Sequence, residues 1–572
     1  MCIIDYYNYI ATAAYILLGV AALCFSLKRQ KKGGKYLSDS VTAVLFIIIM
    51  LLAAFLRLYK LGEVPYGLQQ DEASIGYDAY TLAKFGIDRN GYHWPIYPIT
   101  WGCGGGSPLL IYMNVISISL FGTGIYKLRL IPAICGILTV ALFYASLGLI
   151  FEKRDYKNEA SLLGASFLAI CPWHVILSRW SLDCNIMPFN MMLAVYLFLL
   201  AAKKKSTGFY CLSAAAFSIC MYSYGAATIV VPVFLLLICL YCLWIKVLDV
   251  KQLILSGVTF MVVFLPLLIF YAVNYLGLPE IVTNVICFNK FTAARTGEAF
   301  ISFGAGFGTE ALSNLKSMLL AVSIGDDAHT LAHYYPGYAT LFEFTFPITL
   351  IGFISAIIAF FKGKRAKDAD ELYLVGNGIF LFITLACAVL EIVILPDISR
   401  MVMLFIPVIY FFVKGAMAIL QGGKAFFIAV VALLLVGGAS FAKDYFTDFN
   451  QWSISIFMPG YGDAIKRAYE IAGDDRQIYS TYEGLSAPFM LALYYNEYDP
   501  YKFYTTVEYK DDKAEFRIAR SFGNFTFELP EDVSSKADGG DVFVVSTSEE
   551  GLFENIESLN VENYGGYLVI YR

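Results

Sequence analysis

A chain of 572 residues that is 59% apolar and only 15% charged, with 46 Phe and 41 Tyr, is not a soluble multidomain protein, for which about 45–50% apolar and about 25% charged is usual. The same composition excludes a disordered, collagen-like or disulfide-scaffold chain and leaves a polytopic membrane protein. Charge is divided unevenly: from Ala442 onward there are 23 Asp/Glu against 11 Lys/Arg, and before it 30 Lys/Arg against 23 Asp/Glu. So acidic a tail argues against nucleic acid as a partner.

Apolar runs long enough to cross about 30 Å of hydrocarbon fall at 9–27, 41–59, 129–151, 160–177, 187–202, 207–224, 226–245, 252–273, 342–361, 372–395, 400–420 and 425–441. The fold class is therefore a polytopic α-helical membrane protein of about twelve spans. Short basic loops at 28–32, Lys153-Arg154, Lys203-Lys204-Lys205, Lys246 with Lys251, and 362–367 are cytoplasmic by the positive-inside rule. Both chain ends then lie outside, as do three large regions at 60–128, 274–341 and 442–572. The apolar segment Pro108–Phe121 is too short for a span and would reverse every later loop if it were one. It is expected to be an interfacial or re-entrant helix. The first span follows no basic stretch and is not a cleavable signal peptide.

The division expected is a membrane domain, 1–441, and an extracytoplasmic α/β domain, 442–572. In the latter, Tyr461–Ala472 has helical spacing and stops at Gly473. Short strands are expected at 478–482, 503–509, 524–529, Val542–Ser546 and Tyr567–Tyr571. The tail contains no Cys.

The first external loop carries the most chemistry. Gly62, Pro65 and Gly67 turn the chain ahead of Asp71-Glu72, and Ala73, Gly76, Ala79, Tyr80 and Ala83 then give helical spacing up to Gly86. Asp71 is thus expected near the N-cap of a short helix at the membrane surface. An acid in that place is most often only a cap. Here it directly follows a span, in a loop rich in Gly and aromatics (Tyr92, His93, Trp94, Trp101 and Gly104-Gly105-Gly106).

An Asp-Glu pair early in the first large external loop of a many-span chain resembles the GT-C glycosyltransferases, and most of all the protein O-mannosyltransferase branch (glycosyltransferase family 39) with its bacterial relatives. Pro172-Trp173-His174 leading to Ser178-Arg179-Trp180-Ser181-Leu182-Asp183-Cys184-Asn185 resembles a stretch of the bacterial members. Tyr222-Ser223-Tyr224-Gly225 and Ser399-Arg400, followed by Pro407, do likewise. The resemblance spans most of 40–441 and does not reach the first helix or the tail.

It implies an inverting transferase that moves a hexose from a polyprenyl-phosphate sugar to a hydroxyl on a protein, cell-wall polymer or lipid at the outer face. Outside the cytoplasm there is no nucleotide-sugar pool, so a lipid-borne donor is reasonable. A phosphate leaving group needs little acid assistance, whereas the attacking hydroxyl needs a base. Asp71 is assigned that role, with a pKa that a helix N-terminus would lower. Glu72 is expected to position Asp71 or the acceptor.

Cations must meet the developing phosphate charge, and Arg suits phosphate bidentately. Arg179 and Arg400 stand first for that role and Arg129 and Arg57 next, against the alternative that each anchors a span end. Asp183, Tyr222, Tyr224, His93 and Asp78 are the substrate-binding candidates. His329 and His333 are spaced i,i+4 after Asp326-Asp327, which permits a divalent metal. A surface or acceptor-groove role is favoured for the pair, and the metal is left open. Two other functions compete: a polysaccharide or lipid flippase, which would need buried ionisable residues along a pathway, and a non-enzymatic envelope scaffold.

Overall fold

In the computed structural model, which describes residues 37–293, 301, 304, 306–325, 333–363, 370–554 and 556–572, the run at 41–59 forms helix α1 (Asp39–Leu58). Its N-cap is Ser38, whose hydroxyl accepts from the Val41 N–H. The run at 9–27 and the basic loop after it fall outside the described residues, as does His329.

Two helices lie in the first loop, α2 (Gln70–Phe85) and α3 (Pro108–Phe121), and α4 (Ile125–Ile150) follows. The run at 160–177 is broken in two, because Pro172 has no N–H with which to continue a helix. It becomes α5 (Lys157–Ile170) and α6 (Pro172–Leu177). Next come α7 (Met187–Lys204), α8 (Thr207–Ser223), α9 (Ala227–Trp244) and α10 (Val250–Tyr275). The second loop holds a hairpin, β1 (Ile281–Val282) with β2 (Cys287–Phe288), and α11 (Phe307–Ser323). The membrane part ends with α12 (Phe346–Gly363), α13 (Glu371–Val393), α14 (Phe405–Gly422) and α15 (Lys424–Thr447).

Nine of the described helices are long and apolar enough to cross a membrane: α1, α4, α7, α9, α10 and α12 to α15. Helices α5 and α8 pack among them, α5 on α1 and α4 and α8 on α7 and α10. At 14 residues, α5 is about 21 Å long, too short to cross alone. Helix α3 has the length and apolarity expected of it, and its Ile116, Leu120 and Phe121 are exposed. Helix α14 runs through the centre of the bundle, with nearly all of its side chains buried, whereas α10 leaves Ile254, Val258 and Val262 exposed. Such unequal faces suit a bundle whose outer helices meet lipid.

Helix α15 runs six residues past the expected start of the tail. After it come α16 (Tyr461–Ala472), as the spacing indicates, and β3 (Ile478–Ser480). The expected strand at 503–509 is instead mostly helix. After α17 (Pro488–Tyr495), Asp499 caps α18 (Pro500–Thr506) by accepting from the Tyr501 and Lys502 N–H groups, and Pro500 takes the first position. This start signal outweighs the β-favouring Phe503, Tyr504 and Val507. Only β4 (Glu508–Tyr509) remains extended. Strands β5 (Ala519–Phe522), β6 (Phe525–Thr526), β7 (Val542–Ser546), β8 (Asn560–Asn563) and β9 (Tyr567–Tyr571) complete a seven-stranded sheet in the order β4-β5-β6-β3-β7-β9-β8. Its central strand β3 is parallel to β6 and β7, and the other pairings are antiparallel.

The sheet domain and the first loop share one hydrophobic core, in which Tyr77, Leu82 and Leu110 meet Phe489, Leu491 and Phe525. Tyr77 and Tyr80 donate from their hydroxyls to the Tyr498 and Glu497 carbonyls, both at 3.0 Å. Every residue of α2 from Glu72 to Leu82 is therefore buried. The helix is clamped under the tail.

Candidate active site

Helix α2 begins one residue earlier than Asp71. Gln69 is its N-cap, and the side-chain oxygen of Gln69 accepts from the Asp71 N–H. Glu72 reaches back to the Gln69 N–H at 3.3 Å, which completes a capping box. Asp71, in the first turn, is half-buried and is held at both oxygens. Trp101 Nε1 donates to its Oδ1 at 3.1 Å and Gln69 Nε2 to its Oδ2 at 3.2 Å. The tight turn Trp101–Gly104 aims the indole, which the tail's Phe489 and Phe516 brace edge-on.

Burial raises the pKa of Asp71, and the Glu72 charge adds to this. The Trp101 and Gln69 hydrogen bonds and the Arg89 charge oppose it without cancelling it. The shift is opposite to that expected from a helix N-terminus alone, because desolvation outweighs the dipole here. The carboxylate is thereby a stronger base than a free aspartate.

Glu72 is fully buried and does not face the site. Both of its oxygens accept from Arg129, at 2.9 Å from Nε and 2.8 Å from Nη2, and Oε1 also accepts from the Ser181 N–H at 2.7 Å. Glu72 thus positions Asp71 through Gln69, which touches both.

The arginines expected at the donor phosphate divide sharply. The remaining Arg129 donors go to the Pro65, Gly67 and Leu61 carbonyls, so its N–H groups are fully engaged inside the protein. Arg179 is fully buried and donates to the carbonyls of Leu56, Tyr59, Lys60 and Val64, at 2.8 to 3.0 Å. Arg57, also buried, donates to the Ala53, Leu168 and Ala169 carbonyls at 3.1 Å and contacts His174 Nδ1 at 2.6 Å. These three frame the fold and do not present a cation to a ligand. Arg400 differs: it is half-buried, and its Nη1 donates to the Leu395 carbonyl at 2.6 Å.

The other candidates scatter. Asp78 is fully buried in a bidentate pair with Arg89, at 3.0 and 2.8 Å, and is a strut of the loop rather than a substrate ligand. Beside it, burial and the Asp78 charge push up the pKa of Asp88. Tyr222 is inserted into α10 one turn around Pro266, donating to the Val263 carbonyl at 2.8 Å and accepting from the Leu267 N–H at 3.2 Å. That repair of a proline-weakened ladder engages its hydroxyl. His93 is exposed at the rim of the loop.

Asp183 stands at the 3₁₀ turn Asp183–Ile186, where it accepts from the Ser107 and Cys184 N–H groups at 2.8 Å and lies within electrostatic range of Asp71. Around the same turn gather Tyr224, which bonds Ser399, and Asp397, which accepts from the Ser399 N–H at 2.6 Å. The turn therefore lies within electrostatic range of Asp71 and beside the Ser399 segment that precedes Arg400.

His333 is fully buried rather than in a surface groove, with Nε2 2.8 Å from Asn185 Oδ1 and its ring against Trp180. Burial holds its pKa down, against the Asp397 charge. Among the described residues no three His, Cys, Asp or Glu side chains form a group that could hold a metal ion. The residues missed from sequence are Gln69 and Trp101, and only the glycine run after Trp101 hints at the turn that delivers it.

Apolar helices in this number, with a buttressed acid between the first long loop and a capping sheet domain, define a multi-pass membrane protein with a candidate catalytic site at one end of its bundle. Residues 106–270 match the family described as dolichyl-phosphate-mannose-protein mannosyltransferase. This stretch holds Arg129, Arg179, Asp183, Tyr222 and Tyr224 but not Asp71 or Arg400.

In structure the chain is similar to ArnT from Cupriavidus metallidurans bound to undecaprenyl phosphate, at 14% identity and a TM-score of 0.52, covering 93% of this chain and 98% of that one. It is also similar to the oligosaccharyltransferase AglB of Archaeoglobus fulgidus in complex with an inhibitory peptide and a dolichol-phosphate (13%, TM-score 0.51, 89% and 70% covered). A third likeness is to an Archaeoglobus fulgidus oligosaccharyltransferase in the apo form (15%, TM-score 0.50), where 81% of this chain covers 64% of that one. No curated protein matches in sequence. The chain has the GT-C glycosyltransferase fold.

Proposed function

We propose that the protein is an inverting glycosyltransferase that moves a hexose from a polyprenyl-phosphate donor to a hydroxyl acceptor on the outer face of the membrane. The observation that carries this reading is the half-open Asp71 carboxylate, fixed by Trp101 and Gln69 and raised in basicity by burial. Asp71 takes the proton of the acceptor hydroxyl as its oxygen attacks the anomeric carbon. The bond from that carbon to the phosphate oxygen breaks, its electron pair leaves with the phosphate, and configuration inverts. Arg400 meets the charge that develops on the leaving phosphate.

A donor of this class is supported by the family match and by the lipid phosphates bound to the two similar structures. The sidedness rests on the basic loops, which put the Asp71 end of the bundle and the tail outside. The sequence division into a membrane domain, 1–441, and an extracytoplasmic domain, 442–572, is part of the same proposal.

The deciding experiment is Asp71→Asn in lipid nanodiscs supplied with a polyprenyl-phosphate hexose and a hydroxyl acceptor. Release of polyprenyl phosphate should fall to background while the protein stays folded. Undiminished release would remove Asp71 as the base.

A further inference from the structure

An open crevice of about 720 Å³ lies against the sheet domain, with Tyr66 as its lining residue from the first loop. Tyr66, Tyr564 and Tyr567 line it together with the carboxylates of Asp463 and Glu483. No Lys or Arg does, so it offers nothing to a phosphate or an anionic polymer. Its glycines Gly484, Gly565 and Gly566 have open space where a side chain would stand, which leaves bare backbone for a ligand to approach. Ile454 and Pro459 add aliphatic surface to the three tyrosine rings.

Tyrosine rings, exposed acceptor carboxylates and open backbone together suit a ring that is apolar on its faces and carries hydroxyl donors around its edge. The carboxylates are only lightly engaged. Tyr66 donates weakly to Asp463 at 3.4 Å and Ser548 to Glu483 at 3.1 Å, and both acids are exposed.

The crevice is tied to the reaction site by one side chain. Arg129, which grips Glu72, also holds the Pro65 and Gly67 carbonyls on either side of Tyr66, at 2.6 and 2.8 Å. From Tyr66 to Asp71 is five residues, at most about 17 Å of extended chain. Tyr66 therefore lies within that distance of Asp71.

We propose that this crevice binds an uncharged saccharide segment of the acceptor, so that the acceptor is itself a glycan or a glycan-bearing molecule. This rests on the transferase reading above and narrows its acceptor class. The test is saturation-transfer NMR on the full chain in nanodiscs, with short glucan, mannan and N-acetylglucosamine oligomers offered singly and a Lys-rich peptide as comparison. The Asp71→Asn protein should bind at least one oligomer as well as the unaltered chain does. Gly566→Phe, which places a ring in the open space, and Glu483→Gln, at an exposed side chain, should each weaken that binding by tenfold or more.

Failure of every oligomer to bind, binding indifferent to both substitutions, or binding of the peptide alone would overturn the proposal. Because this readout is binding, those results leave the Asp71→Asn transfer assay free to stand. Conversely, oligomer binding with transfer indifferent to Asp71 would remove Asp71 as the base and keep the crevice.

Discussion

Replacing Arg129 by methionine removes five hydrogen bonds from one buried guanidinium, two of them to Glu72 and three to the Leu61, Pro65 and Gly67 carbonyls. The side chain left behind fills similar volume but leaves the Glu72 carboxylate at 0% exposure with only the Ser181 and Gln69 N–H groups as donors. Breaking one half of a buried pair costs about 3–5 kcal/mol, chiefly because the surviving charge has no partner. That is roughly a hundredfold to several-thousandfold in the folded population.

Adding Glu72→Gln to Arg129→Met removes the stranded charge and should recover a good part of the loss, so the two effects are far from additive. The assay is the thermal midpoint and monodisperse yield of the four proteins in one detergent, read as differences because unfolding of so large a chain is not two-state. If Arg129 instead served the donor phosphate, Arg129→Met would leave the midpoint in place and raise only the KM for donor. That result would refute the assignment of Arg129 to the frame.

Asp71→Asn should lower kcat by about 10²–10⁴, the usual contribution of a positioned base, with a midpoint close to that of the parent because Asn can still accept from Trp101. Trp101→Phe removes a hydrogen bond that favours the ionised carboxylate. The pKa of Asp71 then rises further, more of the base is protonated at a given pH, and the acid limb of kcat/KM moves to higher pH. A limb that stays or moves down would contradict the pairing. Arg400→Ala should raise the donor KM by about ten- to a hundredfold, as expected for losing charge-assisted hydrogen bonds worth about 1.5–3 kcal/mol, and leave acceptor KM unchanged. Kinetics measured against donor and acceptor separately check this.

The helical membrane part was legible because its signal is additive. Twenty apolar residues in a row need no partner to be recognised, and α1, α4, α7, α9, α10 and α12 to α15 coincide with runs read from composition alone. The placement of Asp71 just inside a helix was legible for a related reason, since turn residues and helical spacing are local. What fails is whatever depends on a partner far along the chain. Trp101 meets Asp71 across 30 residues and Tyr77 meets Tyr498 across 421, and no spacing announces either. The direction of the Asp71 shift was missed for the same cause: the dipole is a local property, whereas the burial that overrides it depends on how distant parts of the chain pack. The strand expected at 503–509 failed differently, through a local signal given too little weight, the Asp499-Pro500 helix start.

The arginines show why residue type at a span end does not identify an anion site. A helix that ends inside a protein-packed, lipid-bounded region leaves its last carbonyls without water, and a guanidinium can serve several of them at once. Pro172 has no N–H to give to the Leu168 carbonyl, and the Trp173 N–H goes to Thr340 instead of Ala169. Those two carbonyls are the ones Arg57 takes. Arg179 does the same for the exit of α1, where the chain turns from Leu56 to Val64, and is covered by the rings of Tyr445 and Phe446. The partial negative charge at a helix C-terminus makes these ends tolerable places for a cation with no carboxylate partner. A terminal arginine is thus first a candidate cap for a neighbouring helix, most of all where a proline interrupts that helix. Of the four arginines considered, Arg400 alone is neither fully buried nor engaged by several carbonyls, and this difference in occupancy, not its place in the sequence, is the reason it is the one proposed for the phosphate.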